Sequence, residues 1–249
     1  MRSTERLRTL ADLADSQWGL FTTAQAGEAG VSVSDLKRFT DQRILVRLRH
    51  GVYRLAGVPP AAEDPIRAEW LALEPKRRAG DRLTDPVPTG VVADRSAARL
   101  HELGDLDADR HEFAVPRRRA SRSPDVTFRV AQLESTDWQL VAGLPVTTPV
   151  HTITDLAAAH TDGGHLATVV RDAIRAGQAT RAEIATALRP YTHHYGLPVG
   201  TGDELVAAFI EQAGIPESAV ALTRTTQPNS AVEQALLDAL AAVRRENNS

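Results

Sequence analysis

The chain has 249 residues, enough for two domains of ordinary size, and it is 42% hydrophobic and 24% charged with a net charge of −3, as in many globular proteins. It contains no cysteine, which excludes disulfides, zinc–thiolate sites and thiol nucleophiles. No apolar run reaches the roughly 18–20 residues of a membrane span, and the charged N-terminus lacks the apolar centre of a signal peptide, so we expect a cytoplasmic protein with no membrane partner.

Positive charge is concentrated near the N-terminus. Residues 1–57 contain nine Lys and Arg against six Asp and Glu, whereas residues 58–249 contain 20 against 26. The excess lies between Gly30 and Leu55, where there are six Lys and Arg and only two Asp. This difference in net charge between the two parts of the chain indicates that one segment binds an acidic partner and the other does not.

The first 57 residues predict three helices. Helical spacing of apolar residues predicts a first helix over "TERLRTLADLA". A short second helix follows in "TTAQAGEAG", capped by Thr22 or Thr23, and a capping box of Ser32 and Asp35 starts a third helix that runs to about Gln42. The helical period of the third helix places two groups on opposite faces: Val33, Leu36 and Phe39 inward, and Ser34, Lys37, Arg38 and Asp41 outward.

A β-hairpin is expected after the third helix, because "ILVRLRH-GVYRL" alternates with period two on both sides of His50–Gly51. A two-residue turn there requires positive φ, which glycine adopts freely. The expected cross-strand pairs are Arg49 with Val52, Leu48 with Tyr53, Arg47 with Arg54 and Val46 with Leu55. This register places Val46, Leu48, Tyr53 and Leu55 on one face and Arg47, Arg49 and Arg54 on the other.

Three helices followed by a two-stranded hairpin are typical of a winged helix-turn-helix. The third helix has the size of a DNA major groove, and the arginine face of the hairpin lies where a phosphate backbone would run. Neutralised phosphates release counterions, so we expect DNA binding that weakens strongly with salt. The alternative interpretation of these arginines is a solvated sheet face.

Two breaks divide the rest of the chain: "LAGVPPAAEDP" predicts a linker, and "YTHHYGLPVGTGDE" a second break. The predicted segments are residues 1–57, the winged helix-turn-helix; residues 65–190, a larger mixed α/β domain; and residues 195–249, a C-terminal helical extension. The larger domain combines helices such as "DRSAARLHELG", capped by Asp94 and ended by Gly104, with the strands "TGVVAD", "HEFAVP", "DVTFRV" and "GLPVTTP". The predicted fold class is α+β, predominantly helical.

A second basic cluster lies in the loop between two predicted strands of the larger domain. It comprises Arg117, Arg118, Arg119 and Arg122. Such a cluster suits a nucleic-acid contact or a docking patch for an acidic partner protein. The alternative is a solvated loop.

Two stretches of the chain resemble a known family. "GLFTTAQAGEAGVSVSDLKRFTDQRILVRLRHGVYRLAG" resembles the N-terminal winged helix of the AbiEi-type antitoxins of bacterial type IV toxin–antitoxin and abortive-infection systems. "DRSAARLHELGDL…HEFAVPRRRASR…VAGLPVTTPVHTITDLA" is similar to the second domain of the same family. The resemblance covers about residues 4–188, and the tail from about Tyr195 has no counterpart in it.

The resemblance implies an antitoxin that binds inverted repeats of double-stranded DNA in its own promoter and represses transcription. It implies a monomer or weak dimer that is cooperative on DNA, and a cognate nucleotidyltransferase-type toxin that it counteracts. Carried over by position, the DNA contacts are Lys37 and Arg38 on the third helix and Arg47, Arg49 and Arg54 on the hairpin. Auxiliary contacts are Ser34, Thr40 and, to a phosphate, Thr23.

Candidates for catalysis or metal binding are few. His193 and His194 are adjacent in "YTHHYG", with no HExxH or His-x-His element nearby, which favours a surface pair over a metal site. His151, His160 and His165 cluster around two predicted helices, but His151 and His165 flank a helix rather than share one of its faces. The sequence has no G-x-S-x-G, P-loop or G-x-G-x-x-G motif. We therefore expect no enzymatic activity, no metal and no cofactor.

Two other functions fit parts of the sequence. One is a winged-helix transcriptional regulator whose second domain senses a small ligand, in which case a metabolite should raise the melting temperature. The other is a remnant of a restriction-endonuclease-like protein, with Glu233 in "NSAVEQALLDAL" as an early acidic residue. Sixteen residues follow Glu233, too few for the strands that carry the other catalytic groups, which favours an amphipathic packing helix.

Overall fold

The structure, a computed structural model, describes residues 3–121 and 123–214. These residues form two compact units, residues 3–101 with 106–155 and residues 102–105 with 156–214. The predicted winged helix-turn-helix and the strands of the predicted larger domain lie in the same unit, so the units do not follow the three predicted segments. No helix in the described ranges is long and apolar enough to cross a membrane.

Three helices open the first unit: α1 (Ser3–Asp15), α2 (Thr23–Glu28) and α3 (Val33–Asp41). Each matches its prediction to within two residues because its start signal is local. Thr22 caps α2, and the predicted box of Ser32 and Asp35 caps α3. The predicted inward orientation of Val33 is wrong, since its side chain is 65% exposed. Viewed along the helix axis, Val33 lies about 40° from exposed Lys37 and about 60° from buried Leu36, so it is closer to the exposed face. Val33 is also the first residue of α3, where its side chain lies outside the core.

A three-stranded sheet follows, with β1 (Leu20–Thr22), β2 (Leu45–Arg49) and β3 (Val52–Leu55) in the order β1-β3-β2. β1 was not predicted. The turn at His50–Gly51 is confirmed, with Gly51 at φ 78°. We call the β2–β3 hairpin the wing. Helices α1–α3 and this sheet constitute a winged helix-turn-helix, so the predicted α+β class with such an N-terminal domain is confirmed.

The predicted register of the wing is wrong for three of its four pairs. The structure pairs Leu45 with Leu55, Val46 with Arg54, Arg47 with Tyr53 and Arg49 with Val52. A bulge between Arg47 and Arg49 adds one residue to β2, and only the pair between the bulge and the turn keeps the predicted partners. The apolar and arginine faces expected from simple alternation are therefore not formed.

The winged-helix sheet is buried on both faces. Phe21, Leu45 and Tyr53 pack with helices α1–α3, whereas Leu20 and Val52 pack with α4 (Asp64–Leu73). Strand residues alternate between the two faces, which explains why neighbours such as Leu20 and Phe21 belong to different cores. The second face of the wing is therefore covered by a helix that follows the predicted linker.

A five-stranded mixed sheet completes the first unit. Its strands are β4 (Val91–Val92), β5 (His111–Val115), β6 (Val126–Val130), β7 (Trp138–Val141) and β8 (Leu144–Thr147), in the order β6-β5-β4-β8-β7. β4 is parallel to β8 and β5 is parallel to β6, and the other pairs are antiparallel. The sequence predicts all of them except the edge strand β7.

Three further helices belong wholly or partly to the first unit: α5 (Ala79–Leu83), α6 (Asp94–Leu100) and α7 (Pro149–Ala158). α5 was not predicted. The predicted boundaries of α6 are wrong, because Ala93 rather than Asp94 is its N-cap and the helix stops at Leu100, before Gly104.

The second unit is helical. It contains α8 (Gly163–Arg175), α9 (Arg181–Leu188), a 3-10 helix (Arg189–Tyr195) and α10 (Gly202–Gln212). Arg122, Glu233 and the predicted last helix "NSAVEQALLDALAAVRREN" lie outside the described residues.

Candidate nucleic-acid interface

The outward face of α3 carries the polar residues that the sequence predicts there. Ser34, Lys37, Arg38 and Asp41 are all exposed, and Val33 joins them. The Ser34 hydroxyl lies 2.9 Å from the Ser32 hydroxyl of the cap. Lys37 forms no ion pair within the part of the chain that the structure describes. The first two turns of α3 thus present a cationic surface with one apolar side chain.

Asp35 links α3 to α1 and holds Arg38, one of the predicted DNA contacts of α3. Its carboxylate accepts hydrogen bonds from Arg6 of α1 at 2.6 Å, from Arg38 at 2.8 Å and from the Ser32 hydroxyl at 2.6 Å. The Ser32 hydrogen bond, together with the charges of Arg6 and Arg38, lowers the pKa of Asp35. Arg38 is therefore held at the surface by a carboxylate that stays ionised, with its Nη2 group oriented toward Asp35.

Two threonines among the predicted auxiliary contacts are half-buried. The Thr40 hydroxyl donates to the Leu36 carbonyl at 2.8 Å, a bond within α3 that leaves the oxygen able to accept. Thr23 begins α2, and its N–H donates to the Gly51 carbonyl at 2.9 Å. This bond places Thr23 beside the turn of the wing.

The end of the wing carries two exposed residues, Arg47 in β2 and His50 in the turn. Arg47 Nη2 lies 2.7 Å from His50 Nδ1, and Arg47 Nε donates to the Arg49 carbonyl at 3.3 Å. These contacts extend the Arg47 guanidinium along the turn, which keeps a positive group at the end of the wing.

The other two wing arginines have partners on α4. Arg49 forms an ion pair with Glu69, and Arg54 Nη1 donates to Asp64 Oδ2 at 2.7 Å. Arg54 is only 9% exposed. Burial raises the pKa of Glu69 although Arg49 opposes the effect. The expected surface of three arginines is not brought together: one of them is exposed, and two join the wing to α4.

The second basic cluster is also divided. Arg117 and Arg118 are exposed in the loop after β5. Arg119 donates from Nη2 to the Leu73 carbonyl at 2.6 Å, and its guanidinium lies 5.9 Å from the centre of the Phe128 ring. Arg119, which is also exposed, therefore anchors the loop, and Arg117 and Arg118 form no ion pair with the residues that the structure describes.

The histidines noted in the sequence have different surroundings. His151 lies 3.7 Å from Asp137 and 3.5 Å from Asp155, and burial raises the pKa of Asp155 to about 7. In the second unit the His160 and His194 rings stack at 3.7 Å and His165 lies 3.0 Å from Asp105. The His193 ring lies edge-on to the His194 ring at 4.2 Å. Among the described residues no group of three or more His, Asp or Glu could hold a metal ion.

Sequence comparisons match two parts of the chain to one family. Residues 8–56 match the family described as transcriptional regulator, AbiEi antitoxin, and residues 89–194 match the AbiEi antitoxin C-terminal domain. None of the curated proteins compared matches the chain. A solved structure, the RV2827C protein from Mycobacterium tuberculosis, is similar with a TM-score of 0.47 and 19% identity over 88% of this chain and 81% of that one. Residues 57–88, which include α4 and α5, lie between the two matched regions.

Proposed function

Because the chain belongs to the AbiEi-type antitoxins, with both a transcriptional-regulator domain and an antitoxin domain, we propose that it binds the promoter of its own operon and represses transcription. The observation that carries this proposal is that both α3 and the end of the wing present exposed cations, Lys37 and Arg38 on α3 and Arg47 on the wing. A winged helix-turn-helix uses these two surfaces on DNA.

In the proposed complex, α3 lies in the major groove. An α-helix with its side chains is about 10–12 Å in diameter, and the major groove, about 12 Å wide, admits it. Lys37 and Arg38 read base edges, and Ser34 and Thr40 supplement them. Arg47 and Thr23 bind phosphates beside the groove. Arg49 and Arg54 support the wing from behind, since their guanidinium groups are paired with Glu69 and Asp64.

The proposed target is an inverted repeat in the promoter, bound cooperatively by a monomer or weak dimer. Each half-site takes one winged helix-turn-helix, so that the two-fold symmetry of the DNA matches that of the bound pair.

The test of promoter binding is fluorescence anisotropy of the purified protein on DNA from upstream of its own gene and on a shuffled control. We expect tighter binding to the upstream DNA and a steep loss of affinity between about 50 and 200 mM salt. Equal and weak binding to both DNAs would contradict the proposed repressor function.

We further propose that the protein counteracts a nucleotidyltransferase-type toxin. The match of residues 89–194 to the antitoxin domain supports this activity. The test is to co-express the protein in a bacterial host with a nucleotidyltransferase gene found beside its own; the absence of such a gene would contradict the proposal. We expect the toxin gene alone to stop growth and this protein to restore it; growth arrest that persists in the presence of folded protein would contradict the proposal.

A further inference from the structure

A short loop between α4 and α5 is bonded to the helix-turn-helix. This docked loop, Pro75–Ala79, reads "PKRRA". The Thr22 hydroxyl donates to the Pro75 carbonyl, and Gln25 Nε2 donates to the Arg77 carbonyl at 2.8 Å. Its last residue is held as well, because the Ala79 N–H donates to Gln17 Oε1 at 2.9 Å. Three hydrogen bonds thus fix the backbone of the docked loop at the start of α2.

The docking is part of the fold, because it satisfies two buried amides. Gln17 and Gln25 are almost fully buried and exchange hydrogen bonds of 3.1 and 3.0 Å with each other. Their remaining partners are the docked loop, the Leu20 carbonyl and the Thr22 N–H. A buried amide without partners would cost about 1–3 kcal/mol, so the loop is held in one place.

The docked loop carries three cations, of which Arg77 is half-buried and ion-paired. Arg77 pairs with Asp85, the two closest atoms lying 2.6 Å apart. Lys76 and Arg78 are exposed, and neither forms an ion pair or hydrogen bond through its side chain in the described residues. The start of α2 therefore has two uncompensated positive charges beside it, supplied by a segment outside both family matches.

We propose that Lys76 and Arg78 bind the DNA phosphate backbone next to the half-site that α3 reads. In a helix-turn-helix the first helix of the motif, here α2, crosses the backbone. Its start is held between the wing turn, through the Thr23 N–H and the Gly51 carbonyl, and the docked loop, through Thr22 and Pro75. The two side chains extend the cationic surface past α2. This inference rests on the proposed promoter binding.

The contact is electrostatic, so it adds affinity for any sequence and no preference between sequences. Each phosphate neutralised contributes about 0.9 to the slope of log affinity against log salt. The two side chains together should therefore contribute a slope of about 1.8, which corresponds to about a tenfold difference in affinity over a fourfold change in salt.

The test compares Lys76→Ala/Arg78→Ala with the wild type by anisotropy over a salt series, on upstream and on shuffled DNA. We expect the salt slope to fall by about two, with equal losses of affinity on the two DNAs. The control, Arg99→Ala/Arg110→Ala, removes two exposed arginines of the same unit and should keep the wild-type slope. The swapped variant Lys76→Arg/Arg78→Lys should also keep it, because a phosphate accepts either cation.

The outcomes separate the two proposals. A wild type that prefers upstream DNA, together with an unchanged slope in Lys76→Ala/Arg78→Ala, would overturn the docked-loop contact and leave promoter binding intact. A wild type that binds neither DNA would overturn both. Thermal melting checks that each variant is folded, and we expect melting temperatures close to the wild type because both side chains are exposed.

Discussion

Arg38 and Arg47 are both exposed cations, but their supports differ. Arg38 is held by Asp35 on α3, the helix proposed to enter the major groove, whereas Arg47 lies at the end of the wing beside His50. A guanidinium that is fixed on a recognition helix can bind a guanine edge with two hydrogen bonds. One at the end of a wing meets the backbone. The two residues should therefore contribute to different properties of binding.

We expect Arg38→Ala to weaken the free energy of binding to the operator by roughly 1–3 kcal/mol, because it removes a base contact. Its binding to shuffled DNA should change little. Arg47→Ala should lose affinity equally on both DNAs and lower the salt slope by about one. Dissociation constants from anisotropy on the two DNAs measure both effects. An equal loss on operator and shuffled DNA in Arg38→Ala would contradict the base-reading role.

Asp155, in the first unit, should change its ionisation near neutral pH. Burial raises its pKa to about 7, against the attraction of Arg129, with Asp94 and Asp137 adding repulsion. A carboxyl whose pKa is higher in the folded state stabilises the fold most below its unfolded pKa of about 3.9, and this contribution is lost as the pH rises through 7.

The stability of the wild type relative to Asp155→Asn should therefore fall between about pH 4 and 7, by at most about 1.4 kcal/mol per pH unit, and level off above pH 7. Urea unfolding of the two proteins at several pH values measures the difference. His101 and His111, whose pKa values burial lowers, titrate in both proteins and cancel in the comparison, whereas His151 lies 3.5 Å from Asp155 and is therefore replaced by Asn in both proteins. A difference in stability that does not change with pH would contradict the assignment.

At the scale of elements, the wing is a strand pair enclosed between two layers. Its sheet packs on α1–α3 with one face and on α4 with the other, and Arg54 lies in the second interface, paired with Asp64. Arg67 of α4 also approaches Asp64, at 3.7 Å. The wing therefore packs on α4, and the proposed DNA-binding surface depends on a helix outside the helix-turn-helix.

We expect Arg54→Ala to lower the free energy of unfolding by about 3–5 kcal/mol, because it leaves Asp64 buried without its closest partner. Arg47→Ala is the matched control from the same hairpin and should change stability by less than about 0.5 kcal/mol. Denaturant unfolding measures both. Removing both partners, in Arg54→Ala/Asp64→Ala, should cost less than the sum of the single changes. Unchanged stability with weaker DNA binding in Arg54→Ala would instead support the phosphate contact expected from the sequence.

The caps of α2 and α3 could be predicted from the sequence, whereas α5, the N-cap of α6 and the wing register could not. Ser32 and Asp35 signal the start of α3 within four residues, and the exposed Lys37 and Arg38 follow from the same helical period. The bulge in β2 has no such local signal, since a strand accepts an extra residue without any marker in its letters. The partners of Arg49 and Arg54 lie 20 and 10 residues away on α4, beyond any periodicity.

At the scale of the whole molecule, the winged helix-turn-helix and the five-stranded sheet share one hydrophobic core. Leu20 and Val52 of the first sheet belong to the same buried cluster as Trp70 of α4 and Leu144 of β8. Trp18 joins them edge-on to Trp70. Gly143 is required beneath it: its φ is 81°, and a Cβ atom there would lie 2.6 Å from Trp18 Nε1.

A chain that lacks residues 1–57 should therefore not keep a folded five-stranded sheet, although the composition of the linker suggests a domain boundary there. The truncation exposes the α4 surface that Leu20 and Val52 cover, and it removes Arg49, the partner of Glu69, and Arg54, the closest partner of Asp64, which keeps Arg67 at 3.7 Å. Burying these apolar side chains is worth about 1.5–3 kcal/mol each, and Glu69 would be left without Arg49.

Hydrogen exchange of the backbone amides in β5 and β8 measures this dependence. We expect strong protection in the full chain and in Lys37→Ala/Arg38→Ala, which removes only exposed side chains, and loss of protection in the fragment 58–249. Protection that survives in the fragment would show that the sheet folds alone and that the shared core adds little. If protection is lost, the regulatory and antitoxin roles must be separated by point substitutions at the surface, because any truncation at the linker removes the structure that both roles need.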